Sequence, residues 1–248
     1  MQLYFIRHGQ SINNANWNNP DYKESPDPIL TEIGIEQAQY LATYLKERQI
    51  ITDEKSWNVQ NQYGFGFTHI YASLMERAAT TAAPTARALS NIPFAAWPEI
   101  HEEGGIYARE SESNFMGLPG KPRSFFEKKF PEMQLPDEFG ESGWWNRPYE
   151  TEEECQPRAD RVVAELLKRH GDVEDQPEQR IVFVSHGGFF VRLLCALTKL
   201  PWRQGAQEMK SWFLLNNCSI SRFDIRKGEI LVNYINRTEH LPAHLITA

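Results

Sequence analysis

His8 and His186 occupy the same kind of position in this sequence. Each follows four apolar residues and one polar residue, and each precedes a glycine. An apolar run without alternation is typical of a strand buried on both faces of a parallel sheet. An imidazole at its end can act as a nucleophile, an acid, a base or a metal ligand. Arg7, beside the first histidine, offers a fork of donors for a phosphate or a carboxylate. Either strand end alone is also compatible with two solvated polar side chains.

These side chains are predicted to lie together, because the carboxyl ends of parallel strands meet at one edge of a sheet, where open α/β sheets bind ligands. Arg77 lies in the first turn of a helix that follows the second predicted strand, and so belongs to the same edge. The helix predicted after His186 would add free backbone N–H groups. Two guanidinium groups, two imidazoles and a helix N-terminus match a tetrahedral phosphate dianion better than a neutral ligand.

The elements that must position these residues alternate in type along the chain. Helical spacing, capping residues and short apolar runs predict the order β-α-β-α-β, an insertion, α-β-α and a final pair of strands. This order predicts a single domain over residues 1–248, with a three-layer α/β/α fold around a mainly parallel central sheet. The predicted strands are 2–7, 68–72, 94–97, 180–185, 218–225 and 229–236, and the predicted helices begin near residues 35, 75, 151 and 189.

Residues 104–150 interrupt this alternation with glycine, proline and aromatic residues. A connection of this length inside a compact domain is usually a lid or a binding segment, so we expect it to cover the pocket, with a short helix near residues 125–130. Its cations could bind a second anionic group, and its aromatic side chains could stack on a ring or pack the segment against the sheet. The side chains concerned are Lys121, Arg123, Arg147, Tyr107, Trp144 and Trp145.

Two segments have the form of a capping box, in which a hydroxyl residue caps a helix and a carboxylate three residues later returns the hydrogen bond. The first segment pairs Ser73 with Glu76, and the second pairs Thr151 with Glu154. Both patterns predict that a helix begins directly after the hydroxyl residue.

Four segments, read in chain order, share a further pattern. They are Leu-Tyr-Phe-Ile-Arg-His-Gly-Gln-Ser at 3–11 with Asn14, Leu-Thr-Glu-Ile-Gly at 30–34 with Gln37 and Ala38, Ser-Leu-Met-Glu-Arg-Ala at 73–78, and Val-Ser-His-Gly-Gly at 184–188. Together they resemble the histidine phosphatase superfamily (branch 1 type), the clan of phosphoglycerate mutases and related acid phosphatases. The resemblance covers the chain from residue 3 to about residue 195. A lone Arg-His-Gly carries little weight, whereas four segments in the family's order are specific.

The resemblance implies a metal-independent phosphomonoesterase that needs no cofactor and forms a phosphohistidine on His8. Arg7, Arg77 and His186 would hold the phosphoryl oxygens and stabilise the charge that develops on them, with Gly187 as a further phosphate-binding residue. The chemistry is consistent with these residue types. A neutral imidazole is a good nucleophile, and a labile phosphohistidine divides one difficult displacement into two easier ones. The guanidinium groups supply the positive charge that a metal would otherwise provide.

Three further roles follow from the same resemblance. Asn14 and Gln10 would add hydrogen bonds to the phosphoryl group. The family carries its general acid after the third strand, where this chain has Ile-His-Glu-Glu-Gly at 100–104. Glu102 is therefore assigned as the acid, with Glu103 as the alternative. An alkoxide leaving group needs a proton, which a carboxyl with a raised pKa can supply.

Three other functions fit parts of the sequence. Phosphoglycerate-type phosphomutases of the family carry Arg-His-Tyr-Gly after the acid, where this chain has Glu-Gly-Gly-Ile at 103–106, and this difference favours hydrolysis. A non-catalytic phosphate-binding module of the same fold would not need both His8 and Glu102. A serine hydrolase elbow, Gly-x-Ser-x-Gly, would have Phe183 in place of its first glycine and would leave Arg7 and Arg77 without a function.

Charge and composition restrict the partners. The net charge is −7 and the pI about 5.6, which disfavours nucleic acid and anionic membranes. No apolar stretch of the sequence approaches the roughly 20 residues that span a bilayer. The 3 cysteines have no metal-binding spacing and favour a reducing, cytoplasmic location. We therefore expect a phosphorylated small-molecule substrate, no metal and no cofactor, whereas the sequence leaves the oligomeric state open.

Overall fold

A computed structural model describes residues 1–53, 58–111, 114–173, 176–200 and 213–248. None of the helices in these ranges is both long enough and apolar enough to cross a membrane. The strands are β1 (Gln2–Arg7), β2 (His69–Ala72), β3 (Phe94–Ala96), β4 (Tyr107–Arg109), β5 (Phe115–Gly117), β6 (Arg180–Ser185), β7 (Ile220–Arg226) and β8 (Glu229–Arg237). The helices are α1 (Ile12–Ala15), α2 (Glu32–Glu47), α3 (Glu76–Ala88), α4 (Arg123–Lys129), α5 (Glu152–His170) and α6 (Gly187–Thr198).

Six strands form the central sheet, in the order β3-β2-β6-β1-β7-β8. The first four pair in parallel, whereas β7 is antiparallel to both β1 and β8. The prediction of a mainly parallel sheet with a final strand pair is therefore confirmed. β1 and β6 pair in register from Gln2 against Arg180 to Arg7 against Ser185. The residues that follow these two strands consequently leave the sheet side by side.

Helices cover both faces of this sheet, as the three-layer prediction requires. Tyr4 and Ile6 of β1 face a core shared with α2 and α3, whereas Leu3 and Phe5 face a second core shared with α5 and α6. All four side chains are buried, which explains an apolar run without polar alternation. Burial of each such side chain contributes roughly 1.5–3 kcal/mol to folding, so the position of β1 between the two layers is strongly determined.

The insertion forms its own small structure between β3 and α5. β4 and β5 pair as a two-stranded antiparallel sheet, and α4 follows them. Trp144 and Trp145 are buried in the core that includes α2 and α3, together with Phe126 of α4. The two tryptophans therefore pack the insertion against the rest of the chain. Residues 112–113 of the insertion lie outside the described residues, and its function as a lid stays a prediction.

The capping box predicted at Thr151 is present, but the one predicted at Ser73 is wrong. α3 begins at Glu76 with Met75 as its N-cap, and no side chain makes the cap hydrogen bond. The backbone N–H of Glu76 instead donates to Asp27 at 3.1 Å. A carboxylate from a loop distant in sequence thus replaces the local hydroxyl at this helix end, which frees the Ser73 side chain for another partner.

Candidate active site

His8 and His186 meet at the carboxyl edge of the sheet, because β1 and β6 are parallel neighbours. Their ring centroids are 5.2 Å apart, and the ring planes are inclined by 56°. Both side chains are buried. The backbone N–H of His8 donates to the carbonyl oxygen of Ser185 at 2.9 Å. This bond continues the pairing of the two strands into the turn and fixes one ring relative to the other.

The hydrogen bonds of His8 determine which ring nitrogen carries the proton. Nδ1 lies 2.7 Å from the carbonyl oxygen of Gly9, and Nε2 lies 3.1 Å from Nε of Arg77. A carbonyl can only accept and a guanidinium can only donate, so the proton is on Nδ1 and the lone pair is on Nε2. Burial, reinforced by the charges of Arg77 and Arg7, holds the pKa of His8 well below its usual value. His8 is therefore a neutral imidazole whose Nε2 lone pair accepts the hydrogen bond from Arg77.

His186 has a different partner. Its Nε2 lies 2.9 Å from Oγ of Ser73, and this hydroxyl also accepts the backbone N–H of Met75 at 3.2 Å. When the hydroxyl donates its own hydrogen to Nε2, the ring proton lies on Nδ1. Burial, together with the charge of Arg77, lowers the pKa of His186 well below its usual value. Sequence reasoning missed Ser73 as a site residue, although its position directly after β2 places it at the same edge as His186.

The two arginines complete the arrangement. Arg7 donates through Nη1 to the backbone carbonyl of Leu215, and Arg77 donates through Nε to His8. Burial lowers the pKa of both guanidinium groups, but neither group deprotonates in proteins. Both side chains therefore present fixed positive charge at the end of the sheet. The negative charge of Glu102 partly offsets the effect of burial on the pKa of both arginines.

We call Arg7, His8, Arg77 and His186 the cup. Three of its nitrogen atoms, Arg7 Nε, Arg77 Nη1 and His186 Nδ1, are buried and have no hydrogen-bond partner within the described residues. A buried donor without a partner costs roughly 1–3 kcal/mol. Three such nitrogens beside Nε2 of His8 form an arrangement suited to the oxygen atoms of a bound anion. The sequence prediction that these four residues lie together agrees with this geometry, whereas their catalytic roles stay predictions.

Glu102 and Glu103 lie beside the cup but have different partners. The Glu102 carboxylate accepts the backbone N–H groups of Gly188 (3.1 Å), Phe189 (2.8 Å) and Glu103 (3.0 Å). Glu103 forms an ion pair with Arg192, and burial raises its pKa. The sequence prediction of free N–H groups at the start of α6 is thus wrong for these two positions. A carboxylate from a loop without a periodic pattern occupies them.

Asn14 lies in the wall of the same cavity as the cup. Its Oδ1 accepts the backbone N–H of Ser11 at 3.1 Å and the Nδ2–H of Asn217 at 3.3 Å. Asn217 is fully buried and also donates to the carbonyl oxygen of His8 at 3.1 Å. Sequence reasoning did not identify Asn217. It supports the turn that carries His8 from a position more than 200 residues away, and no local pattern marks it.

Gln10 and Gly187 are placed differently from each other. The Gln10 side-chain oxygen accepts the hydroxyl of Thr31 at 2.8 Å, and Gln10 is not among the described residues that line the cavity. Gly187 does line it. A Cβ atom at Gly187 would lie 3.6 Å from Nε of Arg7. Only Gly187 of these two therefore sits where a ligand of the cup could reach it.

The cavity above the cup has a volume of about 970 Å³, which falls in the range of sites for small molecules. Its exposed outer wall mixes two cations with two carboxylates, Lys23 and Arg109 with Glu24 and Glu110. Within the described residues there is no group of three His, Cys, Asp or Glu side chains placed to hold a metal ion.

The three insertion cations singled out from the sequence, at positions 121, 123 and 147, are engaged elsewhere and do not line this cavity. Each forms an ion pair with a carboxylate, and in this structure none of them is placed to bind a second anionic group of a ligand in the cavity. The pairs are Lys121 with Glu76 (3.3 Å), Arg123 with Glu127 (2.8 Å) and Arg147 with Glu99 (3.4 Å).

Comparison with known families gives a match over nearly the whole chain. A family model described as "Histidine phosphatase superfamily (branch 1)" matches residues 3–56 and 59–238. This match includes all four segments on which the resemblance was based. A search of curated proteins finds no match.

Solved structures with the same fold have low sequence identity to this chain. One is a mutant phosphoserine phosphatase from Entamoeba histolytica in complex with phosphoserine, with 20% identity, a TM-score of 0.55 and coverage of 97% of this chain and 99% of the other. A mycobacterial glucosyl-3-phosphoglycerate phosphatase complexed with VO3 has 19% identity, a TM-score of 0.57 and coverage of 96% and 99%. A putative alpha-ribazole-5'-P phosphatase from Escherichia coli has 22% identity, a TM-score of 0.57 and coverage of 96% and 97%. At these identities the likeness establishes a shared fold.

Proposed function

The chain belongs to branch 1 of the histidine phosphatase superfamily, and we propose that it is a metal-independent phosphomonoesterase that acts on a small phosphorylated metabolite through a phosphohistidine on His8. The observation that carries this proposal is the cup. A neutral imidazole offers its Nε2 lone pair beside three buried nitrogens that have no partner within the described residues. Neighbours of the same fold that are named as phosphatases support the same class of reaction.

In the first step, the Arg77 guanidinium turns its Nε–H from Nε2 of His8 to a phosphoryl oxygen, and the freed Nε2 lone pair attacks the phosphorus atom. The N–P bond forms while the P–O bond to the leaving group breaks, and the bonding electrons pass to the leaving oxygen. That oxygen takes a proton from Glu102, and the alcohol departs. Donors from Arg7, Arg77 and His186 stabilise the charge on the phosphoryl oxygens, which is largest in the transition state.

In the second step, water attacks the phosphorus atom of the phosphohistidine. Glu102, now a carboxylate, accepts the proton of the water as the new P–O bond forms. The N–P bond breaks, its electrons return to Nε2 of His8, and inorganic phosphate leaves. Because Nδ1 remains bonded to the carbonyl of Gly9 throughout, the ring keeps its orientation between the two steps.

The position of Glu102 beside the cup, rather than the hydrogen bonds of its carboxylate, supports its role in proton transfer, since N–H donors favour the ionised form. Three backbone N–H groups hold its carboxylate beside the cup, whereas Glu103 is engaged by Arg192. The two carboxyl groups converge on Gly188, since a Cβ atom there would lie 2.6 Å from Glu102 and 3.0 Å from Glu103. Glu103 is therefore close enough to be the alternative donor, and a direct test must separate the two.

Hydrolysis of p-nitrophenyl phosphate tests the proposed function. We expect the purified protein to release phosphate at mildly acidic pH, to keep its activity in EDTA and to be inhibited by vanadate. Loss of activity on chelation would contradict the metal-independent mechanism, and failure to hydrolyse any phosphomonoester would contradict the enzyme itself. A panel of phosphorylated metabolites, with free phosphate as the readout, then identifies the substrate.

Leaving-group dependence tests the proton donor. Nitrophenolate needs little protonation, whereas an alkoxide needs a full proton. We therefore expect Glu102→Gln to slow hydrolysis of alkyl phosphates far more than that of p-nitrophenyl phosphate. Glu103→Gln, the matched control, should affect both substrates to a similar extent. The reverse pattern would assign the proton to Glu103.

A further inference from the structure

A carboxylate from the loop before α2 lies close to Arg77 of the cup. The Asp27 side chain is 9% exposed, and its Oδ1 accepts the backbone N–H of Glu76 at 3.1 Å. The same oxygen is 4.0 Å from Nη1 of Arg77, whose side chain is also 9% exposed. Asp27 faces the active-site arginine and lies outside the described lining of the cavity.

We propose that Asp27 is a positioning residue, whose ionised carboxylate keeps the guanidinium of Arg77 oriented in the cup for the phosphoryl oxygens and whose protonation weakens this hold and slows the reaction. The inference rests on the proposed function, since it gives Asp27 a part in the same phosphoryl transfer. Asp27 acts through Arg77 and makes no contact with the reacting atoms.

The bonding of Arg77 explains why such a partner matters. Its Nε donates to Nε2 of His8 at 3.1 Å, while Nη1 has no hydrogen-bond partner in the described part of the chain. Nη1 carries two N–H groups, so one can face Asp27 while the other remains for a phosphoryl oxygen. Asp27 is itself tied to the first turn of α3 through Glu76. A fixed negative charge on one side therefore orients the guanidinium plane before the substrate arrives.

The charges around Asp27 determine how its hold on Arg77 depends on pH. Burial raises the pKa of Asp27 to about 6. The charge of Arg77 and the hydrogen bond from the backbone N–H of Glu76 oppose this increase, the Glu76 carboxylate reinforces it and the charge of Lys121 opposes it. Lys129, which lies 2.5 Å from the Glu76 carboxylate, belongs to the same group of charges. The Asp27 carboxyl is thus ionised at neutral pH and becomes neutral as the pH falls through about 6. Arg77 then loses its charged partner.

The Asp27→Asn variant tests the proposal, because it keeps the size of the side chain and an oxygen for the Glu76 N–H. With p-nitrophenyl phosphate near neutral pH, we expect kcat to fall roughly tenfold, which corresponds to about one pKa unit of lost interaction, with little change in KM. Below the pKa of Asp27 the two proteins should converge, since the wild-type carboxyl is then also neutral. The ionisation of the substrate phosphate affects both proteins equally and cancels in their ratio.

Asp21→Asn is the matched control, because Asp21 lies in the same loop, is exposed and undergoes the same chemical change. It should reproduce the wild-type pH profile. Equal kcat for wild type and Asp27→Asn at neutral pH would overturn the positioning role. A kcat ratio that stays constant across the pH range would overturn the part played by ionisation.

A readout that does not need turnover separates this inference from the proposed function. The Arg77 Nε–H, held by its bond to His8, should give a resolved side-chain resonance in nitrogen-edited NMR spectra of the wild type. We expect this resonance to broaden or disappear in Asp27→Asn and to persist in Asp21→Asn. Its persistence in Asp27→Asn would refute the proposal that Asp27 holds the guanidinium of Arg77. Absence of any hydrolysis by the wild type would instead refute the phosphatase.

Discussion

The turns after β1 and β6 share a sequence pattern but give their histidines different hydrogen-bond environments. His8 lies between a carbonyl that only accepts and the guanidinium of Arg77, which only donates, so its Nε2 keeps a lone pair. At the second turn, Nε2 of His186 bonds to the Ser73 hydroxyl, and Nδ1 has no partner among the described residues. One ring is thus prepared to attack, and the other donates from Nδ1 when the Ser73 hydroxyl donates to its Nε2. The partners of each ring, rather than the shared motif, determine its chemistry.

Replacing each histidine in turn should have the largest effect and should divide their roles. His8→Ala removes the attacking atom, so we expect turnover to fall roughly 10⁴-fold or more and no acid-labile phosphoenzyme to form. His186→Ala leaves the Nε2 lone pair of His8 in place and removes one donor, so we expect a loss of about 10²- to 10³-fold with a phosphoenzyme still detectable. Rapid acid-free quenching with labelled substrate measures both. A phosphoenzyme in His8→Ala, or none in His186→Ala, would contradict the division.

The glycines of the two turns should differ in their tolerance of a methyl group. A Cβ atom at Gly9 would lie 2.6 Å from the backbone carbonyl oxygen of Gly34, whereas one at Gly187 would meet Nε and Cδ of Arg7 at ordinary distances of 3.6 and 3.9 Å. We expect Gly9→Ala to lower the free energy of unfolding by about 1–3 kcal/mol, and Gly187→Ala to change it by less than about 1 kcal/mol.

Urea unfolding of the two glycine variants measures this difference. Gly140→Ala is the control, because no atom lies within 4 Å of a Cβ at that position. Equal stability of Gly9→Ala and Gly187→Ala would show that the first turn is less tightly packed against Gly34 than the structure indicates.

These comparisons show how much of the site could be predicted from sequence. The buried runs of β1 and β6 predicted two strands of one parallel sheet, and the residues directly after them predicted the meeting of His8 and His186. Arg77 was predicted in the same way, from its place after β2. All three depend on one local rule, that strand ends in a parallel sheet share an edge.

The supporting residues could not be predicted, because their partners lie far away in sequence. Ser73 has the local pattern of a helix cap, but its hydroxyl bonds to His186, 113 residues away. Asn217 reaches the His8 carbonyl across 209 residues. Asp27 takes the cap position that the pattern assigned to Ser73. Local propensity describes what a hydroxyl or carboxylate can do, whereas the fold decides which of several suitable partners it meets.

The Ser73–His186 bond gives a prediction of intermediate size. Ser73→Ala leaves a buried ring nitrogen without its partner, so we expect kcat to fall roughly tenfold to thirtyfold. Ser73→Thr, which restores the hydroxyl, should recover part of the loss. The control is Ser219→Ala, since that hydroxyl is buried and has no hydrogen-bond partner within the described residues. An unchanged kcat in Ser73→Ala would show that His186 keeps its orientation without the serine.

Burial is the property that the two histidines share. It predicts that both contribute equally to the loss of folding stability at low pH. The pKa of each is held well below its usual value, mainly by burial, so below about pH 6.5 the unfolded chain binds protons that the folded chain does not. Stability therefore falls as the pH falls, by up to about 1.4 kcal/mol per pH unit for each histidine. His8→Asn and His186→Asn should each reduce this slope by the same amount.

Thermal unfolding between neutral pH and about pH 5 measures the slope, and His244→Asn, at an exposed position, is the matched control. The comparison is informative because substitutions at the same two positions are expected to differ sharply in phosphoenzyme formation. Equal slopes with unequal chemistry would separate what burial contributes to each ring from what its hydrogen-bond partners contribute. A smaller effect for His186→Asn than for His8→Asn would mean that the Ser73 bond stabilises a protonated His186 ring, and the second turn would then have its own pH response.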